Sequence, residues 1–254
     1  KEALPPLDSD IAKRRRQTIG KHGVTFHMQT AVKEIEEKTD SCGARVLNVI
    51  TDKKGKTLEV EADTVLIATG RSANTDGLGL EEAGIEYDSK GIHTDDDFAT
   101  NVPHIYAIGD VNGKCMLAHA ATFQGIHVVN HILGTADGIR PDIMPSAIFT
   151  NPEAASVGLS EDRCKELGLE YTCKKGFFRS NGKALAMNET DGMVKLISDS
   201  DGRIIGCHMF GAHASDMVQE ITALMNTGVT TRRLAEIIHI HPTLSEILCD
   251  MCLG

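Results

Sequence analysis

The run Ile105-Tyr106-Ala107-Ile108, followed at once by Gly109-Asp110, restricts this chain more than any other stretch. A short apolar run closed by a glycine and an acid reads as a buried parallel strand ending in a turn, where open α/β sheets present ligands. Gly109 lets the backbone come close to a ligand. Asp110 can accept hydrogen bonds from a hydroxyl-bearing ligand such as a sugar or sugar alcohol, or simply cap the turn. About six residues on, Met116-Leu117-Ala118-His119-Ala120-Ala121 reads as the first turn of a helix. Its free N–H groups attract anions and polar ligand edges. The helix continues over 120–133, with Phe123, Ile126, Val129 and Leu133 along it, and stops at Gly134.

A second such run, Val65-Leu66-Ile67-Ala68, is closed by Thr69-Gly70 and reads as another buried strand. Ahead of it, residues 8–22 read as a helix capped by Asp8 or Ser9, with Ile11, Ala12 and Ile19 as its apolar stripe. Lys13 to Arg16 form a basic run, a solvated helix face or, less favoured, a phosphate contact. Val24 to His27 is a short strand, and 31–36, 44–50 and 57–61 form a meander turning at Lys53-Lys54-Gly55-Lys56. Residues 71–104 connect, punctuated by glycines, with Asp95-Asp96-Asp97 as a solvated turn.

Past Pro141 and Pro145 the pattern changes to short strands at 147–150, 154–157, 171–178, 183–188, 193–198 and 203–210. A helix runs from Ser160 to Gly168, and Asp191-Gly192 and Asp201-Gly202 are hairpin signals. A helix at 214–227 aligns Ala214, Met217, Val218, Ile221, Leu224 and Met225 on one face, and further helices are expected at 231–238 and 242–252. The fold class is therefore α/β followed by an antiparallel α+β part.

With 254 residues the chain makes one to two domains with ample core. A net charge of −10, no Trp and 4% aromatics argue against a nucleic-acid partner, which needs clustered cations and stacking surfaces. No apolar run approaches membrane-spanning length, and the first residues do not resemble a signal peptide. Seven scattered cysteines fit reduced thiols and a cytoplasmic setting. No metal site is expected, since the acidic triplet lacks the rest of a calcium loop. Neither Gly-x-Gly-x-x-Gly nor Cys-x4-Cys occurs.

The other chemically suggestive stretch is His239-Ile240-His241-Pro242-Thr243-Leu244-Ser245-Glu246. A histidine oriented by a carboxylate is suited to proton transfer near neutrality, and thiol chemistry needs such a base because the thiolate is the reactive species. The same letters spell a capping box, in which Glu246 would bond the Thr243 N–H and leave His241 merely extended before proline. Cys249 and Cys252 stand on one face of the following helix, either as structural thiols or as a redox pair.

Ala107 to Asp110 followed by Met116 to His119 resembles the second flavin segment of the pyridine nucleotide–disulfide oxidoreductases, and His239 to Glu246 resembles the base segment of the members that oxidise dihydrolipoamide. The resemblance covers nearly the whole chain. It implies that Asp110 binds the ribityl chain of FAD, and that Met116, Leu117, Ala118 and His119 run along the flavin and pyrophosphate. It implies that Gly70 and Val32 touch NAD, although Val32 can equally be plain strand packing, and that His241 is the base with Glu246 as its partner. It divides the chain into 1–69, the end of a Rossmann-like NAD domain; 70–143, a returning FAD segment; and 144–254, an interface domain forming a homodimer. The missing fingerprint and cysteine pair belong to the family's N-terminal portion, so the chain looks like the C-terminal part of a longer enzyme and is expected to be inactive alone. The substrate would be a lipoyl-bearing protein or a small disulfide; the alternatives are a glutathione-type reductase using NADPH and a non-catalytic dimerisation module. Asn151-Pro152 and His241-Pro242 resemble positions where the family uses cis peptide bonds.

Overall fold

The computed structural model describes residues 7–39 and 41–253 and divides into two compact units, one ending at Gly70 and the other beginning at Arg71. The first unit opens with helix α1, Ser9–Lys21, whose Asp8 side chain accepts from the Asp10 N–H. Ile11 and Ala12 are buried as the apolar stripe requires. The basic run departs from a uniformly solvated face: Arg14 pairs with Asp10 at 3.1 Å, while Arg15 is buried, and burial lowers its pKa. Strands β1 (Ala31–Thr39), β2 (Arg45–Lys53) and β3 (Lys56–Ala62) form an antiparallel meander in the order β1-β2-β3.

Two expected strands of this unit do not form. Residues 24–27 carry no strand, and neither do 65–68, where Leu66 is 87% and Ile67 74% exposed. An apolar run becomes a strand only when a neighbour supplies hydrogen bonds for its backbone. Among the described residues no strand borders 65–68.

The second unit begins with irregular chain carrying the two-residue strands β4 (Tyr87–Asp88) and β5 (Gly91–Ile92). Residues 105–108 make a single bridge, Ala99 to Tyr106, instead of the expected parallel strand; Ala107 is buried but Ile105 and Ile108 are exposed. A 3-10 turn at Gly109–Asn112 leads to helix α2, Ala118–Leu133, which ends on left-handed Gly134 as the sequence indicates.

Beyond Pro145 lies a five-stranded antiparallel sheet in the order β6-β7-β10-β9-β8. Its strands are β6 (Ser146–Ile148), β7 (Glu153–Gly158), β8 (Thr172–Phe177), β9 (Met193–Ser198) and β10 (Ile204–Gly211). Helix α3, Glu161–Glu166, starts at the Ser160 cap. The 183–188 segment is not a strand but helix α4, Gly182–Met187. Its Lys, Ala, Leu and Met are good helix formers, Asn181 caps it, and left-handed Asn188 closes it. Asp191-Gly192 consequently joins α4 to β9 rather than forming a hairpin, whereas Asp201-Gly202 does turn β9 into β10.

Helix α5, Ala214–Asn226, lays Met217, Val218, Ile221 and Met225 on the sheet face made by Ala155, Val157, Val194, Leu196, Cys207 and Met209. Phe178 is fully buried with Gly192 and Gly211 against its ring: a Cβ at either glycine would stand 2.4 and 2.5 Å from ring carbons. Two short helices, α6 (Thr231–Ala235) and α7 (Glu246–Asp250), frame the His239 to Glu246 segment and are shorter than their sequence patterns indicated. Both Asn151-Pro152 and His241-Pro242 are cis. The α/β then α+β class read from the sequence stands, and no helix among the described residues is long and apolar enough to cross a membrane.

Candidate functional site

The chemistry-bearing residues of the second unit collect at two places. The first is the corner from 107 to 119. Gly109 has φ +74°, and its N–H donates to Gln124 Oε1 at 2.7 Å. Asn112 Nδ2 donates to the same oxygen and to the Ala107 carbonyl, both at 3.0 Å. Gln124 and Asn112 are buried, so these bonds clamp the 3-10 turn onto the first turns of α2. The approach is close enough that a Cβ on Gly109 would meet Ala121 Cβ at 3.1 Å. Glycine is required there for both its φ and its missing side chain.

The clamp leaves Asp110 at the entrance of α2 with its side chain 40% exposed, in a 3.4 Å ion pair with the exposed Arg71. Burial and the nearby Asp110 charge push the Cys115 thiol up. Leu117 precedes the helix in extended conformation and offers no capping side chain, so the first N–H groups of this 16-residue helix lack a side-chain acceptor. Met116 and Leu117 are half-buried, Ala118 begins the helix, and His119 is held by Nε2–H donating to the Pro145 carbonyl at 2.8 Å. A carboxylate beside an uncapped helix start offers an acceptor for hydroxyls and donors for anions within one corner.

The second place is the segment between α6 and α7. His241 projects with its side chain 79% exposed, and Nδ1 lies 2.8 Å from Glu246 Oε1. With the proton on Nδ1 this contact is a hydrogen bond, and Nε2 is left as an outward-facing acceptor. The other carboxylate oxygen, Oε2, accepts from the Thr243 N–H at 2.8 Å. The two readings of the motif are therefore not exclusive: Glu246 orients the ring with one oxygen and caps the turn with the other. The capping box itself is only half made, since Thr243 Oγ1 donates to the Ile240 carbonyl at 2.7 Å. The Thr243 N–H, and after it His241, hold the Glu246 carboxyl below the usual carboxylate range.

Several contributors were not legible as site residues. Asn181, which caps α4, also donates through Nδ2 to the Thr243 carbonyl at 3.0 Å. Glu220 of α5 meets His239. A cleft of about 650 Å³ opens beside the segment, lined by Lys183, Met217, Glu220 and 242–245. Arg71 and Gln124 likewise follow no motif; both are brought in by packing. Of the remaining residues singled out in the sequence, Val32 and Gly70 belong to the first unit: Val32 is exposed in β1 at a register shift, and Gly70 is exposed with φ +103°. Cys249 Sγ faces the Ala235 carbonyl at 3.6 Å, and burial pushes Cys252 up to about 11. Thiols raised in this way are poor nucleophiles, which favours the structural reading of the pair.

Comparison with known proteins gives a consistent picture. Residues 1–125 match the family described as pyridine nucleotide-disulphide oxidoreductase, and residues 144–252 match the dimerisation domain of the same family. The dihydrolipoyl dehydrogenase of Bacillus subtilis is 41% identical over 252 residues, covering 98% of this chain and 53% of that protein. The mitochondrial dihydrolipoyl dehydrogenase of Homo sapiens is 39% identical, covering 94% of this chain and 47% of that one. A leghemoglobin reductase of Glycine max is 35% identical over the whole chain and 48% of its own length. The chain thus spans about half the length of these relatives. Among solved structures, LpdA of Mycobacterium tuberculosis superposes with a TM-score of 0.83 at 25% identity, over 97% of this chain and 52% of that one. The HOCl-induced flavoprotein disulfide reductase RclA of Escherichia coli gives 0.82 at 26%, over 98% and 56%.

Proposed function

Because this chain belongs to the pyridine nucleotide–disulfide oxidoreductase family, we propose that it is the C-terminal part of a FAD-dependent dihydrolipoamide dehydrogenase that uses NAD. The observation that carries this reading is the His241–Glu246 pair, an exposed imidazole with its inner nitrogen fixed and its outer nitrogen free. Residues 1–69 are then the end of the NAD-binding domain, 70–143 the returning FAD segment and 144–254 the interface domain of a homodimer.

The corner at 107–119 fits the flavin cofactor. Asp110, beside Arg71, would accept hydrogen bonds from the ribityl hydroxyls, and the 116–119 backbone with the uncapped start of α2 would hold the flavin and its pyrophosphate. By the family resemblance Gly70, and less surely Val32, would touch the nicotinamide dinucleotide. When bound, FAD passes the electron pair from dithiol to NAD, chemistry no side chain of this chain supplies. The protein's share is proton handling. Oxidation of a dithiol to a disulfide releases two electrons and two protons, and NAD takes up the electron pair with one proton. His241 Nε2 accepts the thiol proton as the thiolate forms, and Glu246 stabilises the resulting imidazolium through Nδ1–H. In the dimer His241 serves the redox disulfide of the partner subunit.

The dinucleotide fingerprint and the Cys-x4-Cys do not occur in these 254 residues, and the proposed turnover is that of a longer enzyme containing them. The test is steady-state turnover of that enzyme with dihydrolipoamide and NAD, against glutathione disulfide and NADPH. Preference for the first pair, and a loss of roughly 10²–10⁴-fold in kcat for His241→Gln at unchanged flavin content, are the expected results. Preference for the second pair would overturn the substrate assignment; undiminished turnover in the variant would overturn the base.

A further inference from the structure

His241 stands between two points of attachment, and the upstream one is another histidine. Its flanking residues Ile238 and Ile240 are 97% and 79% exposed, so their side chains bury little. His239, by contrast, has its side chain only 8% exposed. Its Nε2 lies 2.9 Å from Glu220 Oε1 on α5, and its Nδ1 lies 2.8 Å from the Ile237 carbonyl. A carboxylate and a carbonyl both accept, so either ring N–H has a partner waiting for it. Downstream, Thr243 is held by Asn181, by Glu246 and through its own hydroxyl. A chain fixed at 239 and at 243 leaves little freedom to residue 241, since each link of the backbone spans no more than about 3.8 Å between Cα atoms.

We infer that His239 and Glu220 form a positioning pair, which pins the 237–241 segment to α5 and so presents His241 with Nδ1 on Glu246 and Nε2 facing outward. This rests on the reading of His241 as the base. Neither member touches the reacting atoms; the pair acts through the geometry of its neighbour, where a displacement of about 1 Å can cost on the order of 10²-fold in rate.

The test uses the full-length flavoenzyme that contains this chain, with His239→Ala, Glu220→Ala, the double variant and Glu220→Gln, and with His241→Gln in parallel. His239→Ala and Glu220→Ala should each lower kcat per bound flavin by about 10–100-fold, the scale of an orienting contact, with KM for dihydrolipoamide within about twofold. The double variant should lose no more than either single one, because the pair is a unit. Glu220→Gln keeps an acceptor for Nε2–H and should lose less than about threefold. The inference is overturned if kcat per bound flavin is unchanged in both alanine variants, even where yield or Tm falls, or if the two losses multiply. If His241→Gln is then still strongly impaired, only the positioning role has failed; if it too is unimpaired, the base assignment has failed with it.

Discussion

Replacing Glu246 by Gln changes one oxygen into an NH2 group and keeps the shape. In the native structure the two carboxylate oxygens accept two separate N–H groups, from His241 and from Thr243. Glutamine has one acceptor for these two donors. The Thr243 N–H belongs to the backbone and cannot change its role, so it takes the amide oxygen and turns the NH2 toward His241 Nδ1. The imidazole answers by moving its proton to Nε2, the nitrogen that has to accept. Turnover then requires the minor tautomer, which costs roughly one net hydrogen bond, or on the order of tenfold in rate. The imidazolium also loses its charge-assisted carboxylate neighbour, worth roughly another tenfold. The expected result is about a 10²-fold fall in kcat, smaller than the upper range for His241→Gln. Nitrogen NMR of the His241 ring should show the proton moving from Nδ1 to Nε2. Lowering the pH acts on the same contact. The folded-state carboxyl is depressed, so its interaction is complete above the ordinary carboxylate range and is lost as pH falls through the folded pKa. Wild-type turnover in Glu246→Gln with the Nδ1–H tautomer retained would refute this account.

Other parts of the structure carry expectations of their own. His127 bridges Asp97 at 3.0 Å and Asp137 at 3.1 Å, and these carboxylates raise its pKa, Asp97 first. The stabilisation is full below the unfolded value of about 6.5 and is lost as pH rises through the folded one; NMR titration should place His127 above that value and Asp137→Asn should bring it down. Gly211→Ala puts a Cβ 2.5 Å from Phe178 Cζ at φ +144°, so overpacking should destabilise by about 1–3 kcal/mol, read as a lower midpoint in urea; an unchanged midpoint would contradict the packing. Cys252, raised to about 11 by burial, should alkylate far more slowly than free cysteine near pH 8, and a serine at 249 or 252 should leave turnover intact.

What the sequence disclosed follows the range of the interactions. Helix α5 was legible because its stripe from Ala214 to Met225 is local, and the turn at Asp201-Gly202 because two residues decide it. The runs 65–68 and 105–108 misled because their letters describe a strand, while a strand exists only where another chain segment supplies the ladder. Helix α4 spells a strand in sequence for a related reason: six mostly apolar residues fit either period, and what decides for the helix is the Asn181 cap.

The site divides the same way. The Gly109-Asp110 corner and the His241 to Glu246 stretch are contiguous, so spacing exposes them, whereas Gln124, Asn181 and Glu220 are brought in from 15, 62 and 19 residues away. The capping box and the oriented base could not be separated by spacing because both require an acid at the same position. Residue 246 meets both requirements because a carboxylate has two oxygens, and the short turn between His241 and Thr243 sets one donor before each. That economy has a consequence for variation at the site. Aspartate keeps the charge but reaches one methylene less far, so Glu246→Asp is expected to hold the backbone N–H and release the ring, lowering turnover while the turn survives.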